Sequence, residues 1–236
     1  MKGTEKYSII PGLLLVLLSS CSTIEKASMH GFNSGYYKLE LQNKNTLPVY
    51  ADVTDQKIDV YRQVNKQPGK NAFLTMPLVP SDSLMFSPVV FHKTSLDIDI
   101  TSVLLKFRPS VYGLQEQLTS DFNIALYAGW RHDKYFVSAK KNPLGMHNAR
   151  VKNHGYDVGF FAGPGVSLIS PFTTQNNQTN EYSGMIIQTG IAGFIETTVA
   201  SFGLAVGFDY LLNADRKVWI YDHKPWVGFM VGIALN

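Results

Sequence analysis

The residues of this chain best equipped for chemistry lie near its start. Leu18-Ser19-Ser20-Cys21 closes an apolar run from Ile9 to Leu18, and Lys2 and Lys6 precede that run. The Cys21 thiol is a soft nucleophile able to take up a diacylglycerol as a thioether, and Ser19 and Ser20 are small enough for an extended chain to enter a peptidase cleft. A basic start, a short apolar middle and a small-residue site, in that order, form a cleaved secretory leader; the run is too short to be a spanning helix. Residues 1–20 are therefore expected to be removed as a lipoprotein signal peptide, with Leu18, Ser19 and Ser20 as the lipobox. The mature chain would start at Cys21, whose freed amine takes a further acyl chain such as palmitate. Two or three chains, at roughly 0.8 kcal/mol per buried CH₂, hold where one alone is marginal. The expected partner is membrane lipid, covalently joined at Cys21, and the expected location is the outer membrane.

A second chemically capable group is Asp97, Asp99, Arg131, Asp157 and Asp209, each set within an alternating apolar pattern. Two readings stay open. The five can form a ladder of compensating charges inside a narrow lumen, where pairing offsets desolvation. Alternatively a carboxylate and a histidine at a rim can act as acid and base in lipid or peptide hydrolysis. His132, His147, His154 and His223 fall in polar stretches with no nucleophile at a telling spacing, and no GxSxG, HExxH or Walker-type motif is present. Ala162-Gly163-Pro164-Gly165 has no following helix and resembles no phosphate loop. No catalytic residue, metal ligand or cofactor is assigned on these grounds.

Composition narrows the classes further. Cys21 is the only cysteine in 236 residues, so neither an internal disulfide nor a cysteine metal site can form. The formal charge of +3 falls to +2 once Lys2, Glu5 and Lys6 leave with the leader. That balance, without a Lys/Arg run, argues against a nucleic-acid partner.

The elements that must position these residues divide near residue 95. Residues 21–35 read as a polar tether. Residues 36–95 read as a small β-unit and linker, with alternating pieces at Tyr37/Leu39/Leu41, Val49/Ala51/Val53 and Ile58/Val60. Turns are expected at Thr54-Asp55-Gln56 and at Gln67-Pro68-Gly69-Lys70-Asn71. From 96 to 236 the pattern changes in kind. Phe122, Ile124, Leu126, Ala128 and Trp130 alternate with small or polar neighbours, and so do Phe202, Leu204, Val206 and Phe208 with Gly203, Ala205, Gly207 and Asp209. Each run is about ten residues, enough for a tilted strand to cross a bilayer.

A bulky face opposed by glycine, alanine and isolated charges is the inverse of a packed sandwich. Aromatics near strand ends, at Trp130, Tyr156, Tyr210 and Trp226, suit an interfacial belt. The expected fold is all-β, an antiparallel up-and-down barrel. Strands are expected at 96–107, 122–131, 134–141, 156–168, 184–195, 199–211 and 226–236. Tight turns at His132-Asp133 and 196–198 on one side require an even number between them, so 146–153 is added to give about eight. The connections 108–121, 169–183 and 212–225 then face the other side. Tyr127, Phe161, Trp226 and Met230 would point inward and obstruct a pore.

Gly35-Tyr36-Tyr37-Lys38-Leu39, Val49-Tyr50-Ala51-Asp52-Val53, Lys93-Thr94-Ser95-Leu96-Asp97-Ile98-Asp99, Leu126-Tyr127-Ala128-Gly129-Trp130-Arg131 and Lys224-Pro225-Trp226-Val227-Gly228 together resemble uncharacterised outer-membrane lipoproteins of the Bacteroidota. The resemblance implies location and a β-rich fold and carries no activity. Asp82-Ser83-Leu84 also resembles the tripeptide that Bacteroidota O-glycosylate, which would place a glycan on Ser83. The sequence as a whole leads to a lipid-anchored barrel with a structural or interaction role. Its rivals are a rim hydrolase or lipid-modifying enzyme, and a soluble β-sandwich tethered by Cys21 alone. No protein partner is identified.

Overall fold

A computed structural model describes residues 31–41, 45–78, 87–141, 143, 145–196 and 201–234. The lipobox residues Leu18, Ser19, Ser20 and Cys21, and the glycosylation candidate Ser83, lie outside the described residues. The fold is all-β. Its strands are β1 (Gly35–Glu40), β2 (Thr46–Val53), β3 (Lys57–Val64), β4 (Gln67–Pro77), β5 (Val89–Arg108), β6 (Gln117–Thr119), β7 (Ala125–Lys141), β8 (His147–Ile169), β9 (Tyr182–Glu196), β10 (Ser201–Leu211) and β11 (Pro225–Ala234).

One antiparallel sheet joins them, and it closes on itself. Neighbours run β5, β7, β8, β9, β10, β11, and β11 returns to pair with β5, so six strands form a ring. The ring satisfies every strand edge internally, as an up-and-down barrel does. The count corrects the expected eight. His132-Asp133 is not a turn, because β7 runs through it in unbroken register with β8, from Leu126↔Ala162 to Lys141↔His147. The same register carries β8 through His154-Gly155, which merges 146–153 with 156–168. The polar interruptions mark a level along continuous strands.

That level is where the strands leave the barrel. The first part of β5 pairs with β1 at Lys38↔His92, Leu39↔Phe91 and Glu40↔Val90, and β2, β3 and β4 follow in order. The proposed boundary at residue 95/96 therefore falls inside β5. The N-terminal unit is built from β1–β4 together with the ends of β5, β7 and β8. Its core joins Tyr37, Leu39, Val49, Ile58 and Val60 to Phe91, Tyr135, Val137 and Val151. The turn at Thr54-Asp55-Gln56 is present, with Thr54 N–H donating to Lys57 O at 2.9 Å. The second expected turn is displaced: Gln67-Pro68-Gly69-Lys70-Asn71 belongs to β4, and the chain reverses at Asn65 and Lys66, both with positive φ.

Side chains obey the two-residue period along the barrel strands, with one break in β5, where the successive side chains of Leu104 and Leu105 are both exposed. Inward positions on β10 are Ser201, Gly203, Ala205, Gly207 and Asp209; outward ones are Phe202, Leu204, Val206 and Phe208. Outward Leu96, Leu126, Phe160 and Leu204 are 56%, 62%, 61% and 67% exposed. Trp130 and Tyr156 also face out, whereas Trp226 is buried inside and leaves the expected belt. Tyr127, Phe161 and Met230 join it in the interior.

Phe32 fastens the start of the described chain. It is fully buried, with ring centroids 5.0 Å from Tyr37, 4.9 Å from Phe91 and 4.9 Å from Tyr135. Phe32→Ala should lower stability by about 3–5 kcal/mol, read as a shift in denaturant midpoint. An unchanged midpoint would show that the segment before β1 is dispensable to the N-terminal core.

Candidate functional site

The barrel interior is stratified, and each layer draws on several strands. At the end nearer the N-terminal unit lie Asp97 and Asp99 on β5 and Asp157 on β8, all buried. The register Asp99↔Tyr127 brings β5 beside β7, and the Tyr127 hydroxyl donates to Asp157 on the neighbouring strand β8. Asp97 and Asp99 lie close enough for their charges to act on the same hydroxyl. Next to this group, toward the N-terminal unit, Arg131 Nε donates to Asp133 at 3.0 Å, and Asn153 Nδ2 donates to the same carboxylate at 3.2 Å.

An apolar layer follows: Tyr127, Phe161, Phe194, Trp226 and Met230. These rings fit because glycine lies under them. A Cβ on Gly207 would stand 2.5 Å from the Trp226 ring, and one on Gly203 2.6 Å from Phe194. Both fall below any tolerable contact, so the large interior residues and the glycines specify each other.

Beyond the rings, Asp209 gathers the opposite charge. Lys106 Nζ donates to its two oxygens at 3.0 and 3.2 Å, Arg108 Nη2 donates to Oδ2, and Trp226 Nε1 donates to Oδ1 at 3.0 Å. Lys106 also lies 4.6 Å over the Trp226 ring, and its Nζ reaches Asn123 Oδ1 at 3.4 Å. All three ionised side chains are at most 2% exposed. The arrangement can neutralise and fix; it presents no exposed reactive group.

Sequence reasoning placed Asp97, Asp99, Asp157 and Asp209 inside, and all four are there; Arg131 is only partly buried, with 20% of its side chain exposed. The structure does not bring all five together as one ladder, since the apolar layer separates Asp209 from the other acids. Sequence reasoning missed Lys106 and Arg108, the cations that hold Asp209. Leu96, Ile98 and Ile100 face out, and strict alternation would send 106 and 108 out as well. A β-bulge intervenes: β11 pairs Met230 with Val103 but Phe229 with Leu105, skipping Leu104, and the parity flips. Only the run Leu105-Lys106-Phe107-Arg108 hinted at it.

The three long connections seal this end. Ile169, Ile186 and Leu211 pack with Trp219, Ile220 and Tyr221 from the β10–β11 connection. Ile220 N–H donates to Thr173 O at 3.0 Å, tying that connection to the one between β8 and β9. Arg108 lies 5.0 Å from the Tyr221 ring and 5.6 Å from Trp219, so the lid rests on the charge cluster. Burial raises the Tyr221 hydroxyl above its ordinary pKa, and the Arg108 charge opposes that rise.

Two histidine–carboxylate contacts occur among the described residues, His92–Glu40 and His223–Asp222, each at 2.7 Å. Neither imidazole has a serine, threonine or cysteine hydrogen-bonded to it among those residues. No group of three or more His, Cys, Asp or Glu that could hold a metal is found there either. No helix among the described residues is long and apolar enough to cross a membrane, which leaves crossing by strands untouched. No family model matches the sequence, and neither a curated protein nor a solved structure matches it.

Two outcomes are expected. Asp209→Ala strands Lys106 and Arg108 without a counter-charge and should cost about 3–5 kcal/mol, whereas Lys106→Met leaves Arg108 paired and should cost clearly less; denaturant midpoints of the two variants decide it. The second outcome concerns the lid. Asp215 accepts from Tyr182 Oη at 2.5 Å and Gln178 Nε2 at 2.9 Å, and these bonds hold its pKa below the ordinary value. A depressed folded pKa gives stability that is present above the unfolded pKa of about 3.9 and lost as pH falls through the folded value. Amide exchange in 212–224 should therefore accelerate on acidification, after correction for intrinsic rates, and Asp215→Asn should remove that dependence.

Proposed function

We propose that the protein is a lipid-anchored outer-membrane β-barrel with a structural or interaction role, akin to the Bacteroidota lipoproteins it resembles in sequence. The observation that carries this reading is the outer face of the ring: bulky apolar side chains on all six strands with no protein layer over them among the described residues. An exposed apolar surface of that continuity is far beyond what a soluble monomer tolerates. The outward apolar segments span about ten residues per strand, matching a bilayer core.

The edge of the belt is level across three neighbouring strands. Leu96, Trp130 and Val158 share one cross-strand row; Thr94, His132 and Tyr156 form the next; His92, Lys134 and His154 form the third. Apolar, then aromatic and polar, then basic is the order of a membrane boundary. His132 and Tyr156 stack at 5.3 Å in the middle row.

The anchor is compatible with the same boundary. Tyr135, next to Lys134, donates its hydroxyl to Gly31 O at 3.1 Å, so the described chain starts at this level. About ten residues separate Gly31 from Cys21, a contour of at most roughly 35 Å. The lipid on Cys21 can thus enter the leaflet nearer the N-terminal unit. The lumen, filled by side chains and roofed by the lid, supports a role without conduction. Its surface for partners is the three connections at the lid and the N-terminal unit.

The decisive measurements are electrophoretic migration and fractionation. The native protein should migrate faster unheated than boiled, as a closed barrel that resists detergent, and Cys21→Ala should remain in the membrane fraction and need detergent for release. Release of Cys21→Ala into the soluble fraction, with heat-independent migration, would leave a protein tethered by its lipid alone.

A further inference from the structure

Beside the apolar belt the sheet carries a basic face. The row Lys38, His92, Lys134, His154 crosses β1, β5, β7 and β8 in direct register, with Lys38↔His92, His92↔Lys134 and Lys134↔His154 as neighbours. All four point away from the N-terminal core, whose inward partners are Tyr37, Leu39, Phe91 and Tyr135. One row further on, Lys152 lies across from Phe136, and beyond it Arg150 lies across from Ser138, both cations exposed. Among the described residues of these four strands, the one acid on this face is Glu40, engaged by His92 at 2.7 Å; Asp52 and Asp59 follow on β2 and β3.

Lys38, Lys134 and Lys152 have no ion-pair partner among the described residues. Lys134 and Lys152 are diagonal neighbours across β7 and β8, and like charges so placed repel one another, so a sheet that assembles this face gains when an external anion spans it. The patch begins one row beyond Tyr156 and His132, at the depth where headgroups would meet the protein if the belt holds acyl chains. Phe136, Lys152 and His154 also border a shallow hollow with Pro88 and Val89, which offers an apolar floor beside the cations.

We infer that the outer face of β1–β5–β7–β8 is a docking surface for anionic phospholipid headgroups, with Lys38, Lys134 and Lys152 as the principal phosphate-binding cations. The inference rests on the membrane reading and deepens it. It assigns one leaflet, the one nearer the N-terminal unit, as the leaflet whose composition the protein senses. Charge complementarity and continuity with the belt favour a lipid over a soluble acidic partner: the cations lie along the boundary in a row, and a lipid surface meets all of them at one depth.

The test uses the full lipidated protein reconstituted into phosphatidylcholine vesicles with or without phosphatidylglycerol, followed by native mass spectrometry of retained lipids. Wild type should insert into both, resisting carbonate extraction, and retain phosphatidylglycerol preferentially. The variant K38Q/K134Q/K152Q should insert equally and lose roughly tenfold or more of that preference, and K38R/K134R/K152R should keep it. Insertion without preference, or preference unaffected by the glutamine variant, overturns the inference and leaves the barrel reading intact. Failure of wild type to insert overturns both. Inorganic phosphate that displaces the lipid at equal concentration would mark a site for the free anion and likewise overturn the headgroup assignment.

Discussion

The structure depends on closing a sheet with only six strands. A ring that narrow has room inside for little beyond a single file of side chains, so most inward positions must be small and most bulk must go outside. Glycine at 203, 207 and 228 is the direct expression of that limit: a Cβ at each would stand within 2.9 Å of an interior ring. The outward display of leucine, isoleucine and phenylalanine is then the other half of one constraint. An apolar exterior follows from where the volume can be placed, and the proposed membrane environment is the surrounding in which such an exterior costs nothing.

The same narrowness explains why ionised groups can remain in the interior. Lys106, Arg108 and Asp209 are cut off from water, where an unpaired charge would cost several kcal/mol. Here two cations, an indole N–H and a carboxylate converge from β5, β10 and β11, each held by the ladder of its own strand. Arg108 then meets Trp219 and Tyr221 from the lid, so the charge cluster and the closed end are one assembly. A cluster drawn from three strands sets the register of β5 against both β11 and, across the lumen, β10. Slippage of either by one residue would carry a partner to the outer face.

Much of the barrel was legible in the chain because alternation is a local property. Leu126, Ala128 and Trp130 against Tyr127, Gly129 and Arg131 states which face is out without reference to any other strand. What local pattern could not supply was level and parity. His132-Asp133 reads as a turn because polar residues interrupt an apolar run; in three dimensions Asp133 is held by Arg131 and Asn153 inside while His132 stacks on Tyr156 outside, and the strand continues. Lys106 and Arg108 were hidden by a one-residue bulge at Leu104. The basic row was hidden differently: Lys38, His92, Lys134 and His154 are far apart in sequence and become neighbours only through strand pairing.

Continuity between the two cores has a mechanical consequence. β5, β7 and β8 each pass from the barrel into the N-terminal unit without a break, and the seam is filled by Arg131, Asp133 and Asn153 rather than by a linker. Domains joined by flexible segments move relative to one another by default; units that share three hydrogen-bonded strands cannot do so without breaking ladder bonds and exposing Phe91 and Tyr135. The N-terminal unit therefore holds a fixed height and orientation relative to the apolar belt. In the proposed placement that rigidity is what keeps the cationic row at one depth along the bilayer edge, since a hinged unit would let the same residues tilt away from the surface. The proposed anchor at Cys21 would need no stiffness of its own: it would supply retention, and the shared strands supply geometry.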